Sequence, residues 1–178
     1  MIPKTIMARP AQDEYGFFYD NYIKLVPHQD LIQVLRDQKA TTARLLEKIP
    51  EDKAGRRYAP DKWSIKEVVG HICDTERIMT YRALRIARGD QTPLPGFEQD
   101  DYVRQAGFDL RPIEDLIAEY VSVRDATLSW LRSLDSQSLQ RRGIANNMGV
   151  SVLALAYIIA GHERHHVAIL RERYLPLV

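Results

Sequence analysis

The chain has one cysteine, no surplus of either charge and no apolar run longer than residues 152–160. Each lack excludes something. A lone cysteine forbids an intramolecular disulfide and fits a reducing compartment. With 25 Lys and Arg against 24 Asp and Glu, a net charge of +1 gives no general electrostatic grip on nucleic acid or anionic lipid. The apolar run is far short of the roughly 20 residues that span a bilayer. No apolar stretch follows Met1-Ile2-Pro3-Lys4-Thr5, so the start does not read as a secretory signal. The expectation is a cytoplasmic protein without nucleic-acid or membrane partners. What is present suits a soluble globular fold: 178 residues, 45% hydrophobic and 28% charged, enough for one domain burying about 70% of its unfolded surface.

Residues 1–27 hold Pro3, Pro10 and Pro27 around Tyr15, Phe17, Phe18, Tyr19 and Tyr22. So many aromatics predict an arm packed on the domain, which is expected over 28–178. Asp30 can cap a first helix running to about Lys48, and Pro50 stops it. Ser64 and Glu67 form an S-x-x-E capping box, and Ile65, Val68, Val69, Ile72, Met79, Ala83 and Ile86 recur at helical spacing as far as Arg88. A third helix opens at Pro112, with Ile113, Leu116, Ile117, Tyr120, Val123, Thr127 and Leu131 as its buried stripe. Ser151 can cap a fourth reaching Arg173. Gly143 to Val150 offers at most a short extended stretch. The pattern is all-α: a four-helix bundle with one long crossover, Gly89 to Arg111, between helices two and three. Metal sites are built in such bundle cores from facing helices.

Three of the five histidines, His162, His165 and His166, lie within five positions. His162 and His166 are one helical turn apart, so two imidazoles can bind one metal from one helix face. They share a stripe with Leu155, Ile158, Ile159 and Ile169. The pentad also matches H-E-x-x-H, the metalloprotease helix. A metzincin, however, would continue with glycine and histidine where Ile169 and Glu172 stand. Any third ligand must come from upstream. His28 falls in a loop; His71 sits two turns into helix two, where it is either a hydrogen-bonded core residue or that ligand. Three imidazoles would leave a position open to water or substrate, the pattern of a catalytic site. Glu163 can act as a general base or make a surface salt bridge, and the surface reading is preferred. Asp74 and Glu67 can orient His71 or be solvated. Cys73 points about 200° away from His71, into the core. Arg77, Arg82, Arg85 and Arg88 read as surface, or Arg82, on the His71 side, holds an anionic substrate.

Arg57-Tyr58-Ala59-Pro60-Asp61-Lys62-Trp63-Ser64-Ile65-Lys66-Glu67-Val68-Val69-Gly70-His71, then Asp74-Thr75-Glu76-Arg77, Tyr81-Arg82-Ala83, Thr92-Pro93-Leu94-Pro95-Gly96-Phe97 and Gly161-His162 to His166, resemble the DinB/YfiT-like superfamily over about residues 28–175. The resemblance implies a four-helix bundle holding one divalent metal, nickel or zinc, on His71, His162 and His166, and a homodimer. Activities attributed to the superfamily are metal-dependent hydrolysis and transfer or isomerisation with low-molecular-weight thiols such as bacillithiol or mycothiol. The expected function is therefore a metal-dependent enzyme acting on a small molecule, as a thiol S-transferase or a hydrolase; the alternative is a non-catalytic metal-binding stress-response bundle. No catalytic residue beyond the ligands is assigned. Phe97, Tyr102, Phe108 and Trp63 are candidates to line the substrate pocket.

Overall fold

A computed structural model describes residues 5–177; Val178 and the first four residues of the expected arm, Pro3 among them, lie outside it. Four long helices carry the fold: α1 (Leu31–Leu46), α2 (Ile65–Ala87), α3 (Ile113–Leu131) and α4 (Val152–Ile169). The expected caps are in place. Asp30 accepts from the Ile32 amide, Ser151 from Ala154, and Ser64 and Glu67 close the capping box.

The closely packed pairs are α2 with α4, α2 with α3, α1 with α3 and α1 with α4. Residue pairing gives their directions. Glu76 meets Arg124 and Thr80 meets Thr127, so α2 and α3 run parallel. Trp63 meets Tyr174 and His71 meets His162, so α2 and α4 run antiparallel. Parallel neighbours cannot be joined by a tight turn, which is the physical reason for the long connection over 89–111. That connection is not the plain loop expected. It contains a short helix, Gln99–Ala106, ended by Gly107 in the left-handed region (φ 64°), and a 3-10 turn, Phe108–Leu110. Phe108 is buried against Gly70, where any Cβ would come within 2.3 Å of its ring.

The segment before α4 also differs from expectation. A short helix, Ser136–Gln140, precedes a hairpin of β1 (Arg142–Ala145) and β2 (Met148–Ser151). Asn146 and Asn147 turn it, both at positive φ (50° and 60°), as two-residue hairpin turns require. Leu94 docks on its tip: its amide donates to the Ile144 carbonyl and its carbonyl accepts from Asn146. Hairpin and crossover are thereby held together above the bundle.

From Val152 to Glu163, α4 is buried on every side. Burying a Leu or Ile contributes about 1.5–3 kcal/mol each, so this helix dominates the core. Its outer face is covered by residues before α1. Ile6, Tyr19, Ile23 and Val26 join the core, and Arg9 donates to the Val26 and Ile23 carbonyls. A short helix, Asp20–Ile23, runs so close to α4 that a Cβ on Gly161 would sit 2.1 Å from the Tyr22 carbonyl oxygen. Past Ile169, a π-helical turn, Leu170–Tyr174, brings the Tyr174 hydroxyl to the Trp63 carbonyl at 2.7 Å. Among the described residues no helix is long and apolar enough to cross a membrane.

Candidate metal centre

The start of α2 is fixed from several directions. The Ser64 hydroxyl donates to Asp109 at 2.5 Å, and Arg57 bridges Glu67 and Asp109 at 2.5 and 2.8 Å. Trp63, just before the cap, lays its ring 4.6 Å from that of His71, two turns into the helix. Across the groove, α4 presents His162 and His166. The His162 Nε2 lies 3.0 Å from the His71 Nε2 and 3.1 Å from the His166 Nε2. The three ligand nitrogens lie within 4.8 Å of one another.

Hydrogen bonding alone accounts poorly for this convergence. Each ring nitrogen carries one lone pair or one proton, so the His162 Nε2 cannot accept well from two neighbours at once. Three ring nitrogens gathered in one place fit a cation. Tetrahedral bonds of about 2.0–2.1 Å would set two donor nitrogens about 3.3 Å apart. That is close to the spacing of His162 from His71 and from His166, with the whole set within 4.8 Å. Protonation supports the same fit. Burial pushes the His71 pKa down to about 4. Burial first, then the neighbouring imidazoles, hold His162 and His166 well below their ordinary value. The nitrogens are therefore neutral, with lone pairs free to bind, at neutral pH. These three side chains can hold one divalent ion between α2 and α4.

A cavity of about 310 Å³ opens beside His71 and His162, lined by Tyr22, Thr75, Arg82 and Phe97. Tyr22 stands edge-on to His162, ring centroids 5.4 Å apart. A second, of about 250 Å³, reaches His166 past Trp63 and Tyr58. Phe97 and Trp63 thus line space next to the histidines, as expected. Tyr102 only backs Phe97 from a more exposed position, and Phe108 belongs to the core under Gly70. A larger cleft of about 540 Å³ lies along Gln38, Thr42 and Arg164 and contains none of the three histidines.

Glu163 corrects the sequence reading. It is neither on the surface nor free to serve as a base: at 1% exposure it is one of the most buried charges in the protein. One position past His162, it turns about 100° away, toward α1 and α3. Its carboxylate accepts from Thr42 (2.6 Å), Gln38 (3.0 Å), Tyr120 (2.8 Å) and Arg124 (2.6 Å). Arg124, with no exposed surface, also forks onto Glu76 at 2.8 and 2.9 Å and donates to the Leu35 carbonyl. This network ties all four helices together directly behind the histidines. The H-E-x-x-H match therefore has no metalloprotease geometry.

The remaining candidates sort simply. Glu67 is engaged by its cap and Arg57, and Asp74 lies 3.5 Å from Arg77, so neither orients His71. Cys73 is buried, and burial pushes its thiol far above the ordinary range. His28 is exposed; His165, half-buried, packs on Tyr22 and His166. Arg82 is buried in the cavity wall, which overturns its reading as surface. Sequence reasoning missed Arg124 and Glu76. The available signal was an arginine set between Val123 and Thr127 of the buried α3 stripe, and a glutamate beside Thr75 on the inner edge of α2.

The DinB superfamily sequence model matches residues 34–170. The chain belongs to the DinB superfamily. A protein of Oceanobacillus iheyensis named "Putative metal-dependent hydrolase OB0413" is 27% identical over 145 residues, covering 79% of this chain and 83% of that protein. The structure is similar to that of YfiT from Bacillus subtilis, described as "a probable metal-dependent hydrolase with an unusual four-helix bundle topology", with a TM-score of 0.74 over 96% of this chain and 93% of that one. At 16% identity this second likeness speaks to the fold.

Proposed function

We propose that this DinB protein is a metal-dependent enzyme whose His71, His162 and His166 hold one divalent ion, nickel or zinc, and that it transfers a low-molecular-weight thiol to a small electrophilic substrate. Three imidazole donors suit either ion. When bound, such an ion lowers the pKa of a thiol or water and supplies a nucleophile at neutral pH. In thiol transfer the sulfur forms a bond to the electrophilic carbon, the leaving group departs with its electron pair, and the thiol proton passes to solvent.

The observation that carries this reading is the cavity against the His71 and His162 imidazoles, combined with the saturation of Glu163. A hydrolase built like a zincin needs a carboxylate to take a proton from water, and the one H-E-x-x-H glutamate has every acceptor position filled. Glu98 and Asp100 stand exposed at the cavity rim. Thiol transfer does not need a protein base. Trp63 and Tyr22 shield the imidazoles, and the buried wall keeps them neutral. Simple hydrolysis is the second reading, favoured by the name of the Oceanobacillus relative. A purely structural ion is disfavoured by the open cavity against His71 and His162. The homodimer rests on the family resemblance alone, and the cytoplasmic setting on the sequence features described above.

The test is turnover of a chromogenic electrophile by metal-loaded protein, with and without added bacillithiol or glutathione. Turnover is expected only with thiol. Thiol-independent turnover would establish the hydrolase instead, and an inert protein with its ion bound would favour the structural role.

A further inference from the structure

The wall of the cavity holds a cation without a counter-ion. His71, Thr75, Met79 and Arg82 follow one another at four-, four- and three-residue steps, so they form a single stripe along α2 facing that space. Arg82 is 3% exposed, yet among the described residues no carboxylate pairs with it. Its Nη2 donates to the Pro95 carbonyl at 2.6 Å, and its Nη1 donates weakly to the Met79 sulfur, 3.7 Å away. The Phe97 ring lies 5.8 Å off, and the Tyr19 hydroxyl stands beside the guanidinium. Most of its five N–H donors therefore lack a strong acceptor. Tying the crossover to α2 through Pro95 would use one donor and leave the charge uncompensated. A buried cation without an anion is costly, and natural structures pair it.

A second polar group on the stripe is also unpartnered. The Thr75 hydroxyl, one turn beyond His71, is buried with no hydrogen-bond partner. An orphan hydroxyl and an unpaired guanidinium, set in line from the imidazoles, are what a bound molecule would satisfy.

We propose that Arg82 is the carboxylate-binding residue of this pocket, so that the substrate is a small molecule with a carboxylate at one end and its reacting atom at the histidines. Thr75 hydrogen-bonds the ligand between the two. Eleven residues of helix rise by about 16 Å; Arg82 leans back about one turn toward Met79, leaving about 10 Å between the two ends of the ligand. Glu98 and Asp100 at the rim repel longer anionic tails, restricting the carboxylate to the buried position. This inference rests on the proposed metal centre and adds a specificity to it.

Calorimetry on zinc-loaded protein tests it without any turnover. The probes are the monohydroxamates of succinic, adipic and suberic acid, which offer a metal-binding head and a carboxylate tail, and their methyl esters, which keep the head alone. At least one acid of matching length is expected to bind ten-fold or more tightly than its ester. Arg82→Gln should erase that gap while leaving ester affinity unchanged, and Arg82→Lys should restore part of it. Thr75→Val should weaken acid and ester alike. Equal binding of acid and ester in the wild-type protein overturns the proposal with no variant needed, as does a gap that survives Arg82→Gln in a folded protein. Failure of every ester and acid to bind counts against the metal centre itself, and the inference falls with it.

Discussion

Arg124→Met should destabilise the protein by about 3–5 kcal/mol, the cost of breaking a fully buried ion pair from one side. One side chain carries the cluster's only positive charge. Its Nη2 lies 2.8 Å from Glu76 and 2.6 Å from Glu163, and both carboxylates are out of solvent. Removing it leaves two like charges facing each other in the core, with only the neutral donors of Thr42, Gln38 and Tyr120 on Glu163. Urea unfolding followed by circular dichroism reads the loss directly. In a domain of this size it corresponds to a melting temperature lower by about 6–20 °C. Adding Glu76→Gln and Glu163→Gln to the same variant removes the uncompensated charges and should recover most of the loss. A single Arg124→Met variant within 1 kcal/mol of wild type would contradict a desolvated network. The effect falls on folding; the histidines keep their places in α2 and α4 as long as the bundle forms.

The second large effect is on pH dependence in the metal-free protein. Folded His71 has its pKa lowered to about 4, and His162 and His166 are lowered well below the ordinary value by burial and by one another. Unfolded, all three titrate near 6.5. As pH falls below 6.5 the unfolded chain binds protons that the folded chain refuses, so stability is complete above 6.5 and is lost toward pH 4. The slope is about 1.4 kcal/mol per pH unit for each histidine. For His71 alone this amounts to about 3 kcal/mol over the interval, with the other two acting in the same direction. Free carboxylates titrate near 4, so between pH 7.5 and 5 the change is dominated by the imidazoles. Urea midpoints of chelator-treated protein should fall steeply across it, and His71→Leu should fall less steeply. A flat or rising profile would mean the imidazoles are solvated.

The elements that were legible in the sequence are those whose signals are local. The capping box at Ser64 and Glu67, the caps at Asp30 and Ser151 and the apolar stripes of α2 and α3 act within a few residues, and each stands where expected. The length of the 89–111 connection likewise reflects the parallel run of α2 and α3. What was illegible depends on partners far along the chain. Four-residue strands interrupted by Gly143 and Gly149, turning on Asn-Asn, carry too little alternation to announce a hairpin, and Leu94 from the crossover completes their tip. At the site, the i, i+4 spacing of His162 and His166 was readable, as was the position of His71 on the inner side of α2. Glu163 was not. Helical position put it on the flank of the stripe, and its burial follows from Arg124, Tyr120, Gln38 and Thr42 on two other helices. Arg82 was readable as a candidate for holding an anion, but its burial depends on Pro95 and Phe97 of the distant crossover.

The central claim is that His71, His162 and His166 share one divalent ion. Elemental analysis of purified protein, repeated on His71→Ala and His166→Ala, tests it most directly. One nickel or zinc ion per chain is expected in the wild-type protein, with its loss from both variants while their circular dichroism remains helical. Undiminished metal in either folded variant would contradict it.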